Sequence, residues 1–88
     1  MHYVYLLLCA DGSYYTGYTN RLSERIAAHN GERPGGAKYT RARRPVRLVY
    51  FEEYEDAREA MRREYAVKQL SHREKEALAS CGKSGEDF

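Results

Sequence analysis

Two strand-like segments joined by a tight glycine turn open the sequence, and they restrict its fold more than any other feature. Residues 3–8 and 14–19 are rich in aromatic and β-branched side chains, with an apolar period too short for a helix. Gly12 lies between them and can adopt a positive φ, so the two segments are predicted to form a hairpin. Because hairpin strands are antiparallel, we expect a small antiparallel sheet.

The length of the turn decides which side chains share a face of this hairpin. A turn of two residues would pair Tyr5 with Tyr18 and send Tyr15 to the opposite face. A turn of three residues ending at Gly12 would pair Tyr5 with Gly17 and keep Tyr15 on the same face. In that second register the glycine should leave open space beside Tyr5. The sequence leaves both registers open.

The rest of the sequence alternates helical and strand-like patterns. The patterns predict helices at 21–29, 55–70 and 71–79 and a third strand at 46–53. The element order β-β-α-β-α-α predicts an α+β fold in which helices flank a three-stranded antiparallel sheet. At 88 residues the chain has room for a single core. We expect one domain over residues 1–80 and a flexible polar tail at 81–88.

Several classes of protein are excluded by what the sequence lacks. No apolar run reaches the roughly 18 residues that a membrane span needs, so no membrane association is expected. No basic leader precedes the first apolar segment, which argues against a signal peptide. Cys9 and Cys81 form neither a disulfide framework nor a zinc-binding spacing. We therefore expect a reduced, cytoplasmic protein.

Positive charge is concentrated in one segment, although the net charge is only +2. Residues 31–50 hold six basic side chains against one acidic side chain, and the whole chain contains nine tyrosines. Basic and aromatic side chains together favour a polyanionic partner. An ordinary solvated loop explains the charge cluster equally well. The predicted nucleic-acid contacts in this segment are Lys38, Tyr39, Arg41, Arg43 and Arg44.

Charged side chains also fall on the predicted inward faces of two helices. On the first helix, Arg25 and His29 lie beside the apolar stripe that Leu22 and Ile26 define. Both side chains should therefore be turned toward the sheet.

On the helix at 55–70, Glu64 falls among the residues that mark the apolar face, which are Ala57, Ala60 and Met61. An inward carboxylate needs an ion pair, a tyrosine hydroxyl or a metal ion, because an unpaired buried charge is costly. A Glu64–Lys68 pair is the simplest explanation and contributes only ~0.2–0.5 kcal/mol. That pair does not explain why the carboxylate faces inward, so a functional site is favoured.

These residues form an ordered set with a known counterpart. Tyr-Val-Tyr at 3–5 and Tyr-Thr-Gly at 15–17 are nine residues apart and are followed by Arg25, His29 and Glu64. The set resembles the signature of the GIY-YIG nucleases, and the chain is most similar to their small stand-alone bacterial members.

The resemblance covers about residues 3–78, with three departures from the family pattern. Tyr3 and Thr16 stand where the name-giving tripeptides have glycine and isoleucine, both at strand positions without a chemical role. Tyr18 stands where some relatives carry a lysine, which removes one candidate for assisting the base.

The resemblance implies a chemical role for each member of the set. GIY-YIG nucleases hydrolyse phosphodiester bonds with one divalent metal ion, Mg²⁺ or Mn²⁺, and Glu64 would be its ligand. Arg25 would stabilise charge on the phosphate. Tyr5 would deprotonate or orient the attacking water, with Tyr15 as a nearby hydrogen-bond partner. His29 would supply or relay the proton.

The sequence is therefore interpreted as that of a metal-dependent endonuclease that needs no small-molecule cofactor. Its expected substrate is DNA, including structured or single-stranded forms, and family analogy points to repair or recombination. The alternative is a nucleic-acid-binding module that retains the fold without catalysis. A third hypothesis is an accessory subunit that docks on a partner protein.

Overall fold

The computed structural model describes residues 1–80, so the predicted tail at 81–88 and Cys81 lie outside the described residues. The elements are β1 (His2–Leu8), β2 (Tyr14–Thr19), α1 (Leu22–His29), α2 (Lys38–Arg41), β3 (Arg47–Tyr54), α3 (Ala57–Lys68) and α4 (His72–Ser80). The predicted order is confirmed, with the four-residue helix α2 added inside the basic segment. In the described part of the chain, no helix is both long and apolar enough to cross a membrane.

The strand β1 lies at the centre of the sheet. The strand order is β2-β1-β3, and β1 pairs antiparallel with both neighbours. Residues 4–7 are each no more than 1% exposed, because helices cover both faces of β1. This position explains why β1 is an uninterrupted apolar run rather than an alternating one.

The hairpin adopts the longer of the two predicted turns. The Cys9 amide donates a hydrogen bond to the Ser13 carbonyl at 2.8 Å, which leaves residues 10–12 as the turn. Gly12 has a φ of 85°, a conformation that favours glycine. Tyr5 consequently lies opposite Gly17.

The predicted open space beside Gly17 does not exist. A Cβ atom at position 17 would overlap the hydroxyl oxygen of Tyr5 and the ring carbon that bears it. The expectation of a vacancy is therefore wrong, because the Tyr5 ring itself fills the volume that the missing side chain leaves.

Two hydrophobic clusters occupy the two faces of the sheet. The first contains Tyr5, Leu7, Cys9, Leu22, Val46 and Phe51, and α1 closes it. The second contains Val4, Leu6, Ala60 and Val67, and α3 closes it. Met61, predicted on the inner face of α3, is 52% exposed. Ala60 and Val67, two turns apart, define the inner face instead, and Met61 lies about 100° around the helix from Ala60.

A polar network anchors α3 to β3. The Arg63 guanidinium donates hydrogen bonds to both carboxylate oxygens of Glu52, at 2.9 and 3.0 Å, and the hydroxyls of Tyr50 and Tyr54 donate to the same carboxylate. Burial opposes ionisation of Glu52, but these donors outweigh it and hold the pKa of its carboxyl below the ordinary value. The network fixes the rotation of α3, and with it the direction in which Glu64 points.

Candidate functional site

His29 is the centre of a buried aromatic cluster on the α1 side of the sheet. Its Nε2 atom lies 2.8 Å from the hydroxyl oxygen of Tyr5. The His29 ring centroid lies 5.9 Å from that of Tyr5 and 5.0 Å from that of Tyr15. His29 is fully buried, at 0% exposure. Three elements, β1, β2 and α1, thus bring together three of the predicted site residues.

Arg25 joins this cluster from the preceding turn of α1. Its guanidinium donates a hydrogen bond to the carbonyl of Gly35, in the loop before α2. Its positive charge also favours ionisation of the Tyr5 hydroxyl and so lowers the pKa of that group. The half-buried guanidinium therefore borders the phenol, as a phosphate-binding group would need to.

The environment keeps both hydrogen-bonded partners uncharged at neutral pH. Burial raises the pKa of Tyr5 to about 12, even though the Arg25 guanidinium pulls it down. Burial also lowers the pKa of His29 to about 4, and the positive charges of Arg25 and Arg44 add to the effect. A neutral imidazole next to a protonated phenol can accept a hydrogen bond from that phenol.

Folding stability should fall in mild acid because of His29. The unfolded imidazole takes up a proton as the pH drops through 6.5, whereas the folded one stays neutral down to a pKa of about 4. The free energy of unfolding is therefore expected to decrease across this window, by about 3 kcal/mol in full. Urea denaturation at about pH 7, 6 and 5 measures this change in the free energy of unfolding.

The variant His29→Gln is the control for this expectation. Glutamine does not titrate, so most of the pH dependence above pH ~4.5, where carboxylates begin to protonate, should disappear. An equal slope in both proteins would contradict the assignment.

Thr40, which the sequence did not single out, is a further buried polar partner of the cluster. Its Oγ1 atom lies 2.9 Å from His29 Nδ1, and both residues are 0% exposed. The segment around it was expected to be an exposed loop, whereas α2 turns Thr40 inward. In the sequence, the one indication of this inward position is that Thr40 is a small uncharged side chain within a basic segment.

Glu64 approaches the cluster from the other face of the sheet. It lies on α3 between the buried residues Ala60 and Val67, and its side chain is 22% exposed. Its carboxylate forms an ion pair with Lys68 at 3.3 Å, which is the pair that the sequence predicted as the simplest explanation. Its negative charge contributes to raising the pKa of Tyr5. Four of the predicted site residues thus share one cluster, namely Tyr5, Tyr15, Arg25 and His29. The charge of Glu64 acts on that cluster, but within residues 1–80 its carboxylate forms no hydrogen bond to a cluster member.

Two of the predicted nucleic-acid contacts are occupied within the protein. The Arg44 guanidinium donates hydrogen bonds to the carbonyls of His29 and Ala28 and so caps the end of α1, while its contact with nucleic acid stays a prediction. Arg43 forms an ion pair with Asp11 at 3.0 Å and lies over the Tyr39 ring, 3.9 Å from its centroid.

The other three predicted contacts lie on α2 and are exposed. They are Lys38, Tyr39 and Arg41. The Tyr39 ring centroid lies 5.9 Å from that of Tyr15, so the exposed aromatic surface continues into the cluster. An approaching polyanion can therefore contact α2 next to the buried phenols.

A metal ion at this site would have few protein ligands. Within residues 1–80, no group of three His, Cys, Asp or Glu side chains could hold one. A hard cation such as Mg²⁺ often binds through one or two carboxylates, with water and substrate phosphates as its other ligands. The single half-buried carboxylate of Glu64 fits that kind of site.

Comparison with known proteins finds one family model and similar relatives that each match most of the chain. The family model described as the GIY-YIG catalytic domain matches residues 1–77. A UPF0213 protein of Halobacterium salinarum is 55% identical over 78 residues, which make up 89% of this chain and 99% of that protein. A UPF0213 protein of Clostridium perfringens is 56% identical over 80 residues, or 91% of this chain and 84% of that protein.

Solved structures of similar proteins have the same fold. The solution structure of a UPF0213 protein from Bacillus halodurans has a TM-score of 0.57 and 54% identity, covering 90% of this chain and 82% of that one. The solution structure of a protein from E. faecalis has a TM-score of 0.58 and 46% identity, covering 86% of this chain and 79% of that one.

Proposed function

The chain belongs to the GIY-YIG family of nucleases, and on that premise we propose that it is an endonuclease that hydrolyses phosphodiester bonds in DNA. The observation that carries the proposal is the buried hydrogen bond between Tyr5 and the neutral imidazole of His29, bordered by Arg25. This arrangement combines a proton acceptor with a cation suited to a phosphate. DNA repair or recombination is the setting we propose for the activity.

The Tyr5–His29 pair would take the proton of the attacking water. Tyr5 accepts that proton on its oxygen while its own proton moves to Nε2 of His29, so no free phenolate has to form. This route suits a phenol whose pKa is raised to about 12. Tyr15, packed against both rings, keeps the phenol in place.

Arg25 would stabilise the phosphate as charge builds up on its oxygens. A guanidinium offers a planar fork of donors, and such preorganised donors are most effective where water is excluded. Binding of a phosphate would replace the carbonyl of Gly35 as the acceptor for part of that fork.

Glu64 is the proposed ligand for a divalent ion. When bound, Mg²⁺ or Mn²⁺ would supply positive charge to the phosphate oxygens and acidify its bound water. The charge of this carboxylate acts on the Tyr5 hydroxyl, which supports an ion held between the two groups. Lys38, Tyr39 and Arg41 would contact the substrate backbone, so binding should weaken steeply as salt rises.

A cleavage assay with three variants tests the proposal. The protein is expected to cut single-stranded, duplex or branched DNA with Mg²⁺ or Mn²⁺ and to stop when the metal is chelated. Tyr5→Phe removes the proton relay and should reduce cleavage by roughly 10²-fold or more. Arg25→Ala should reduce it by about 10²–10³-fold, because a phosphate-stabilising donor is lost.

Arg58→Ala is the matched control, since Arg58 is an exposed arginine on α3 outside the cluster. It should cut at the parental rate. A parent protein that binds DNA in a salt-dependent way but cuts under no metal condition would replace the enzyme with a non-catalytic binding module.

A further inference from the structure

The hydroxyl of Thr40 has two neighbours that together restrict where its proton can lie. Oγ1 is 2.9 Å from Nδ1 of His29 and 3.0 Å from the carbonyl oxygen of Ala37. The carbonyl can only accept a hydrogen bond, and a hydroxyl has a single proton to donate. If that proton goes to Ala37, then Nδ1 must carry a proton and donate to Thr40.

This arrangement gives the Tyr5 hydroxyl, both ring nitrogens of His29 and the Thr40 hydroxyl a hydrogen-bond partner each. With the proton on Nδ1, the Nε2 atom of His29 carries a lone pair and accepts from the Tyr5 hydroxyl at 2.8 Å. The positive charge of the Arg25 guanidinium acts on the Tyr5 hydroxyl. A continuous chain of hydrogen bonds then runs from the phenol through the imidazole to Thr40 and the carbonyl of Ala37.

The reverse arrangement leaves a buried proton unsatisfied. If Thr40 donates to Nδ1, then Nε2 carries the proton and donates to the oxygen of Tyr5. The phenol proton then has no acceptor in the cluster, although Tyr5 is only 1% exposed. An unsatisfied buried donor costs about 1–3 kcal/mol. The reverse arrangement does allow the Ala37 amide to donate a hydrogen bond to Nδ1, but at 3.5 Å this bond is long and weak.

We propose that Thr40 is a positioning residue that holds His29 in the Nδ1-protonated tautomer, so that Nε2 is free to receive the proton of Tyr5. The importance for cleavage rests on the proposed function, because it assumes that the Tyr5–His29 pair relays a proton. The tautomer itself is a property of the free protein and is measurable without substrate or metal.

Nitrogen NMR of the imidazole in the full chain is the first test. Long-range ¹H–¹⁵N spectra at neutral pH distinguish the protonated ring nitrogen from the one with a lone pair. The parent protein is expected to carry the proton on Nδ1 of His29. Thr40→Val removes the acceptor of that proton, and the Ala37 amide is left to donate to Nδ1, so the proton should move to Nε2. Thr40→Ser keeps the hydroxyl and should keep the parental tautomer.

Cleavage by the same variants is the second test. Thr40→Val should lose roughly 10- to 100-fold in rate, by analogy with the loss seen when the partner of a metal-ligating histidine is removed. Thr40→Ser should recover most of that loss. Thr16→Val is the matched control, because Thr16 is also a buried threonine, 3% exposed, and its hydroxyl has no hydrogen-bond partner in the described chain. It should change neither the tautomer nor the rate.

The outcomes separate this inference from the proposed function. A parental His29 with its proton on Nε2, or an unchanged tautomer in folded Thr40→Val, overturns the role of Thr40. A tautomer change without any cleavage by the parent supports the role of Thr40 in the cluster and rejects the nuclease proposal. Should Thr40→Val fail to fold, Thr40→Ala and the serine variant carry the comparison, with the same expected contrast.

Discussion

Glu64→Gln should reduce metal-dependent cleavage by roughly 10²–10³-fold, the largest effect on activity that we expect from one side chain outside the cluster. Glutamine has nearly the same shape but lacks the negative charge that a hard cation prefers. The fold should tolerate the change, because the lost ion pair with Lys68 is half-exposed and contributes less than about 0.5 kcal/mol. Single-turnover cleavage over a range of Mn²⁺ concentrations measures the effect, and DNA binding without metal should stay unchanged.

Glu59→Gln is the control for this prediction. Glu59 is an exposed carboxylate on the same helix and outside the inner face that Ala60 and Val67 define. The control should therefore cut like the parent. If Glu64→Gln cuts equally fast, Glu64 is an ordinary ion-pair partner of Lys68, and its proposed role as the metal ligand is wrong.

Gly17→Ala should damage both stability and activity. The added methyl group would overlap the hydroxyl and the adjoining ring carbon of Tyr5, which is buried between β1, β2 and α1. Overpacking of this kind costs about 1–3 kcal/mol in the free energy of unfolding. If the ring moves by about 1 Å away from His29, cleavage should fall by roughly 10²-fold. Urea denaturation and single-turnover cleavage measure the two effects.

Gly12→Ala separates overlap from the general cost of replacing a glycine. Gly12 has a φ of 85° and no atom near the position of an added Cβ. This variant should lose about 1 kcal/mol of stability through backbone strain. Its cleavage rate should match that of the parent. Equal losses of cleavage in both variants would show that the contact between Tyr5 and Gly17 has no special importance.

The sequence predicted the elements well because their signals are local. The hairpin follows from two aromatic, β-branched segments around Gly12, and the helices follow from their caps and apolar period. The helix α2 was missed because four residues are too few to establish a period, and they follow a segment rich in glycine. The choice of turn length needed the hydrogen bond between Cys9 and Ser13, which no local pattern specifies.

The site was predicted less completely, because its details depend on tertiary contacts. Inward placement of His29 follows from its spacing to Leu22, and the structure buries it fully. The roles of Arg44 and Thr40 arise from residues far away or around a turn, and a basic segment gives no sign of them. The sequence also does not specify which face of the sheet a helix covers, so the position of Glu64 across the sheet from α1 was not predicted.

The single turn of helix α2 has exposed side chains on one side and a buried side chain on the other. Tyr39 and Arg41 are exposed, and Thr40 between them is buried in contact with His29. A nucleic acid bound to the outside of this turn would therefore contact the same short segment that holds His29 from within. Substrate binding and the orientation of the imidazole would then depend on one stretch of four residues.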